Sequence, residues 1–251
     1  MNKIVLITGG SRGLGRDMAL RIAKQGIDVV ITYHSNEQAA AEVVNEITGF
    51  GQKAKALKLN TANVKEFDEF LTTLQMHLTE TYSTTAIDIL VNNAGTGVNA
   101  SVTDTTEEAF DEMMNIHFKG VYFLTQKLLP IMNHGGRIVN ISSGLTRVTF
   151  PNVSAYASMK GAVETYTRCL AKELGARKIT ANVVAPGAIA TDFGGGTNKT
   201  NEEKRKAVSQ ITALGRVGEP EDIGGVVAFL CTPDAGWING QRIECSGGMM
   251  L

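Results

Sequence analysis

The sequence predicts an α/β protein: a single domain on a doubly wound parallel sheet, with helices on both faces. Three observations carry this. Short β-branched apolar runs alternate with stretches of helical apolar spacing along the whole chain. A glycine-rich turn separates the first strand from the first helix. No linker, repeat or low-complexity tract divides the 251 residues, a length that suits one large domain.

The elements follow in order. Residues 3–8 form a short apolar run typical of a buried parallel strand. Residues 16–25 put Met18, Ala19, Ile22 and Ala23 on one helix face, and Gly26 closes that helix. Residues 28–32 are a second strand, 37–47 an Ala- and Glu-rich helix, and 53–59 an alternating third strand. Residues 64–78 set Phe67, Phe70, Leu71 and Leu74 on one helix face. Residues 87–91 make a fourth strand that ends at Asn92-Asn93-Ala94-Gly95. Residues 106–132 read as one long helix, its last turn loosened by Pro130. A fifth strand at 137–141, a second long helix at 155–174 and a sixth strand at 179–184 follow, the last stopped by Pro186-Gly187. Pro220 opens a helix through Leu230, and 242–245 are a final strand. The one composition shift is 190–212, with Gly194-Gly195-Gly196 and then a charged run. A loop of this length suits a lid over a site; a solvated loop is the bland alternative.

Composition narrows the function. The net charge of -1 offers no basic face for nucleic acid. Cys169, Cys231 and Cys245 lie far apart, as in a reduced cytoplasmic protein. The four histidines are scattered without ligand spacing, so no metal is expected. No apolar run approaches the ~20 residues of a membrane span. The apolar start is too short for a signal peptide's core and reads as a strand.

The chemistry sits in a few motifs. Thr8-Gly9-Gly10-Ser11-Arg12-Gly13-Leu14-Gly15 lets the backbone turn sharply and offers helix N–H groups to a diphosphate. Its spacing, G-x-x-x-G-x-G, differs from the common G-x-G-x-x-G fingerprint. Tyr156 and Lys160 are i and i+4, hence on one helix face. An ammonium beside a phenol favours phenolate and lowers its pKa, which suits proton exchange with an alkoxide. A surface Tyr–Lys pair is the plain alternative.

These motifs together resemble the short-chain dehydrogenase/reductase family, whose fold is the Rossmann type. The match extends to Pro186-Gly187-Ala188-Ile189-Ala190-Thr191, to Gly215-Arg216-Val217-Gly218-Glu219-Pro220 and to Gly247-Gly248, so it covers the full chain. The resemblance implies a catalytic set of Asn115, Ser143, Tyr156 and Lys160. Ser143 would bind the carbonyl oxygen, with Ser142 the adjacent competitor. Asn115 would hold a water that links Lys160 to solvent, or merely distort or cap its helix. Lys160 would also hold the nicotinamide ribose. The cofactor would lie along Gly9, Ser11, Arg12, Gly13, Leu14 and Gly15, then His34, Asn60, Thr61, Asn93, Ala94 and Gly95, and would end at Tyr156, Pro186, Gly187, Ile189 and Thr191.

The second strand ends without the carboxylate that takes the adenosine ribose of NAD(H). Arg12 suits a 2′-phosphate, so NADP(H) is favoured over NAD(H). Asn60 stands where the family has an adenine-binding Asp, and Ser246 replaces another Asp. The nearest subgroup resembles 3-oxoacyl-[acyl-carrier-protein] reductases. Yet residues 128–136 lack Lys and Arg, and only Arg177-Lys178 supplies a basic pair for an acidic acyl carrier protein. The reading is therefore a reductase of small free ketones or aldehydes, with the carrier-protein reductase as alternative. A non-catalytic dinucleotide sensor is a remote one, since the Ser–Tyr–Lys set is intact. The family resemblance also implies a homotetramer.

Overall fold

The structure, a computed structural model, describes residues 2–251. Seven strands form one parallel sheet: β1 (Ile4–Ile7), β2 (Asp28–Tyr33), β3 (Ala54–Lys58), β4 (Ile87–Asn92), β5 (Met132–Ile141), β6 (Thr180–Pro186) and β7 (Arg242–Cys245). Their order is β3-β2-β1-β4-β5-β6-β7, the doubly wound arrangement expected. Side chains alternate across the sheet. Val5 and Ile7 enter one core, with helices α1 (Gly13–Ala23), α2 (Glu37–Gly49) and the C-terminal helix over Pro220–Leu230. Ile4 and Leu6 enter the other, with α3 (Phe67–Tyr82) and the helices described next.

The long helix expected at 106–132 is broken. It comprises α4 (Glu107–Met114), a π-helical turn (Asn115–Lys119), α5 (Gly120–Leu128) and a 3-10 turn (Leu129–Ile131). The cause is a close approach: a Cβ at Gly120 would lie 2.1 Å from the Thr61 carbonyl oxygen. One extra residue in the turn lets the helix bend around that contact. β5 also starts earlier than expected. Met132 pairs with Ile87 and Arg137 with Ile89, so residues 133–136 bulge out between them.

α6 (Ser154–Glu173) packs on the sheet beside α4 and the π-helical turn. Residues 190–212 are helical in part rather than a plain loop. A 3-10 turn (Phe193–Gly196) leads into α7 (Thr197–Thr200) and α8 (Glu202–Gln210), and Pro220–Leu230 is α9. Gly194, Gly195 and Gly196 all have positive φ, which gives the segment its reversal. Asn201 caps α8 by accepting from the Lys204 N–H at 2.9 Å. No helix among the described residues is long and apolar enough to cross a membrane.

Phe67 is fully buried at the start of α3. Phe67→Ala is expected to cost about 3–5 kcal/mol of stability. The check is the denaturant midpoint; a change under about 1 kcal/mol would contradict this packing.

Candidate active site

The carboxyl ends of the parallel strands share one edge of the sheet, and the winding direction reverses between β1 and β4, the point at which such sheets hold a ligand. The glycine turn floors it. Gly9 has φ 66°, and a Cβ there would sit 2.9 Å from the Ala94 Cα. A Cβ at Gly15 would meet the Gly9 carbonyl oxygen at 2.1 Å. Thr8 ties the turn to the loop after β4: its hydroxyl accepts from the N–H groups of Asn93 (2.9 Å) and Ala94 (3.0 Å). The Asn93 amide donates back to the Thr8 and Gly9 carbonyls at 2.9 and 3.1 Å.

The remaining residues expected at a dinucleotide line the same edge. Gly13 has φ 54° and faces Thr191, with 3.5 Å from its would-be Cβ to the Thr191 side chain. Ser11 is half-buried, Leu14 packs into the core, and Arg12 is exposed with no ion-pair partner among the described residues. His34 is exposed just past β2, while Asn36 spends its oxygen capping α2. Asn60 accepts from the Ala62 N–H at 3.0 Å, which fixes the turn that carries Thr61. Pro186 ends β6, Gly187 abuts Ser246, and Ile189 pairs with Gly218.

Across the crevice, Ser143 follows β5, and Tyr156 and Lys160 project from α6. Lys160 is 4% exposed and donates Nζ to the Ile141 carbonyl at 2.7 Å. Its ammonium lies 5.6 Å from the centre of the Tyr156 ring. Burial pushes the Lys160 ammonium down to about 8. Burial also raises the Tyr156 phenol, with the Ser143 hydroxyl acting in the opposite sense. Desolvation therefore outweighs the lowering that a neighbouring ammonium alone would give, and the phenol stays protonated at neutral pH. Phe193 closes the opening: its ring centre is 5.7 Å from that of Tyr156, and Gly97 lies beneath it.

Asn115 is half-buried and makes no side-chain hydrogen bond to Ser143, Tyr156 or Lys160. The residue that the π-helical turn aims at them is His117. Its ring meets Tyr156 edge-on at 4.9 Å. In the sequence His117 is one of four scattered histidines with no local signal; only the fold brings it beside Tyr156.

Comparison with known proteins agrees with this geometry. A family model described as "Enoyl-(Acyl carrier protein) reductase" matches residues 9–250. A hydroxynaphthalene reductase-like protein, Arp2 of Metarhizium majus, is 38% identical over 98% of this chain and 94% of its own. The promiscuous reductase LugOII, described as catalysing keto-reduction at C1 in lugdunomycin biosynthesis, superposes with a TM-score of 0.94. It is 40% identical and covers 99% of this chain and 98% of its own. The landomycin C-6 ketoreductase LanV, solved with NADP and rabelomycin, superposes with a TM-score of 0.90. It is 39% identical, over 99% of this chain and 96% of its own. The chain belongs to the short-chain dehydrogenase/reductase family. It is an oxidoreductase, and its likeness to ketoreductases supports a carbonyl reductase.

The reductase carries one feature that its sequence does not announce, a polar network behind Ser143. Glu164 of α6 accepts from the hydroxyls of Ser142 and Thr146, both at 2.7 Å, and from Arg242 at 2.8 Å. Arg242 donates to the Ser143 carbonyl at 3.3 Å and to Glu244 at 2.9 Å. Arg147 grips Glu244 with two bonds of 2.7 and 2.8 Å and reaches the Met249 carbonyl. Ser246 donates to Glu244 at 2.8 Å, so it serves this network where the family has an Asp. The network fixes the backbone of the Ser143 loop against β7 and the C-terminal tail.

Burial raises the Glu244 carboxyl, but the bonds from Arg147, Arg242 and Ser246 win and hold it at about 2. A depressed carboxylate contributes stability above its unfolded value of ~4.5 and loses it as pH falls through the folded value. Glu244→Gln should therefore lower the melting temperature at pH 7 and flatten its dependence on pH between ~4.5 and ~2. Melting curves that stay parallel to the parent across that window would contradict the network.

Proposed function

We propose that the protein is an NADPH-dependent ketoreductase of small free ketones with an aromatic character, using Tyr156 as proton donor. The observation that carries the reading is the convergence of Ser143, Tyr156 and Lys160 on the crevice beside the glycine turn.

The residues present fit the cofactor. Gly9 and Gly15 let the turn fold tightly on itself and on the loop after β4, where a Cβ would clash, and the N-terminus of α1 offers unpaired N–H groups to a diphosphate. Arg12 stands at that turn without a carboxylate partner, and Tyr33-His34-Ser35 at the end of β2 brings no acid to compete with a 2′-phosphate. The LanV structure holds NADP. NAD(H) is the weaker reading, favoured only by the lack of a second Lys or Arg right after β2. Asn93, Ala94 and Gly95 would flank the nicotinamide side with Ile189 and Thr191, and Lys160 would reach its ribose.

The bound cofactor supplies a hydride to the carbonyl carbon. The Tyr156 O–H gives its proton to the carbonyl oxygen as negative charge builds there. Ser143 donates a hydrogen bond to the same oxygen and lowers the cost of that charge. Lys160, charged at pH 7, stabilises the phenolate left behind; the Ile141 carbonyl keeps its Nζ in place. The balance is ketone plus NADPH plus one proton, giving alcohol plus NADP.

Phe193 is an exposed apolar wall beside Tyr156, suited to a flat aromatic substrate. The likeness to a hydroxynaphthalene reductase-like protein and to LanV, which binds rabelomycin, supports the same reading. Residues 190–212 act as the lid that carries Phe193 within the single domain. A carrier-protein substrate is less well supported. Arg177 turns its guanidinium onto the Leu129 and Met132 carbonyls, at 2.9 and 2.5 Å, which leaves fewer donors free for an acidic partner. Stacked Tyr122 and Tyr166 on α5 and α6 offer the surface for a homotetramer.

The test follows NADPH oxidation with bicyclic aryl ketones, acetoacetyl carrier protein and its thioester mimic, each with both cofactors. Aryl ketones should react best, with NADPH favoured over NADH at least ~10-fold in kcat/KM. Arg12→Ala should erode that preference by about 10-fold, chiefly through KM for NADPH. Preference for the carrier protein, or for NADH, would overturn those parts; tight NADPH binding without turnover would favour a dinucleotide sensor.

A further inference from the structure

We propose that Met249 is a positioning residue for the reduction: through it the C-terminal tail straps the base of the lid to the turn that carries Ser143. This rests on the ketoreductase reading above.

The lid has no apolar anchorage along its helices. No residue of α7 or α8 is buried. Packing of an apolar face is what usually places a helix, so here the two ends of the segment must do it. At the N-terminal end, Ile189 bridges Gly218, and the Ala190 N–H donates to the Gly218 carbonyl at 2.8 Å. At the C-terminal end, the tail takes over. The Met250 N–H donates to the Ile211 carbonyl at 2.8 Å. The Ala213 and Leu214 N–H groups donate to the Gly248 and Gly247 carbonyls at 3.2 and 3.0 Å. Thr212 and Met249 thus face each other in a short antiparallel bridge, and both are buried. A Cβ at Gly248 would lie 2.8 Å from the Ala213 Cβ, so the tail comes this close only with glycine there.

The other side of Met249 meets the Ser143 turn. Its carbonyl accepts from Arg147 Nη2 at 2.6 Å. Its Cε lies 3.4 Å from where a Cβ would stand on Gly144. Ser143 caps the 3-10 turn Gly144–Thr146, its hydroxyl accepting from the Leu145 N–H at 3.2 Å. A hydroxyl that accepts there keeps its own hydrogen to donate, which is the bond the carbonyl oxygen needs. The Arg147 N–H closes the same turn on the Gly144 carbonyl at 3.0 Å. One buried residue therefore touches both the lid base and the serine turn. The next, Met250, holds a left-handed backbone at φ 59°, a strain that persists where surrounding bonds fix it. With the tail displaced, lid position and Ser143 direction are lost together.

Trypsin digestion of the NADPH-bound protein reads lid opening at Lys199, Lys204, Arg205 and Lys206. Kinetics with an aryl ketone read the site. A chain ending at Gly248 should be cut in the lid at least ~10-fold faster, with ketone KM raised at least ~10-fold and the NADPH Kd by fluorescence within ~3-fold. Met249→Ala keeps the backbone bonds and loses only the contact with Gly144. It should lower kcat by about 3- to 10-fold at the parent's cutting rate, and Met249→Leu should recover most of that. A chain ending at Met250 keeps every strap bond and should match the parent. Parent-like cutting and KM in the chain ending at Gly248 overturn the proposal. So does Met249→Ala with the parent kcat, or a loss of NADPH binding and melting temperature alongside the rate, which marks a packing role alone. If the parent protein reduces no ketone, the ketoreductase reading fails by itself, and the cutting rates still decide whether the tail straps the lid.

Discussion

A buried ammonium with one protein partner organises this molecule. Lys160 can sit 4% exposed only because the Ile141 carbonyl, at the end of β5, receives its Nζ at 2.7 Å. An unpaired buried charge would cost several kcal/mol or neutralise. That bond links α6 to the sheet at the edge where the crevice opens. It sets the height of Tyr156, one turn earlier, against Ser143. The Glu164–Arg242–Glu244–Arg147 network then braces the Ser143 loop from behind, so the donor and the buried charge are held by different parts of the chain.

The other side of the crevice depends on backbone contact instead of charge. Thr8 and Asn93 exchange hydrogen bonds across β1 and β4, and glycine at 9 and 15 lets the main chain close to distances that a methyl group would block. Side-chain volume is excluded where a diphosphate must approach amide groups. Gly95 belongs to the same logic but serves His117. The floor for a cofactor and the wall for proton chemistry thus share the one loop, residues 93–96.

Much of this was legible in sequence because it is local. Strand and helix periods gave the sheet, and the Thr8–Gly15 and Tyr156–Lys160 patterns needed only their own turn to be recognised. What escaped depends on contacts between distant residues. The π-helical turn arises from Gly120 meeting Thr61, and it changes which side chain of 115–117 faces the site. Arg242 and Glu164 are 78 residues apart, and neither matches a motif. The bulge in β5 follows from its register with β4. The phenol's upward shift follows from burial, which spacing does not report.

Single-turnover kinetics of Tyr156→Phe with NADPH and an aryl ketone test most directly whether Tyr156 supplies the proton. The account predicts NADPH binding within ~3-fold of the parent and hydride transfer slowed by at least ~100-fold, the scale of a lost general acid. Hydride transfer at near the parent rate in that variant would contradict it.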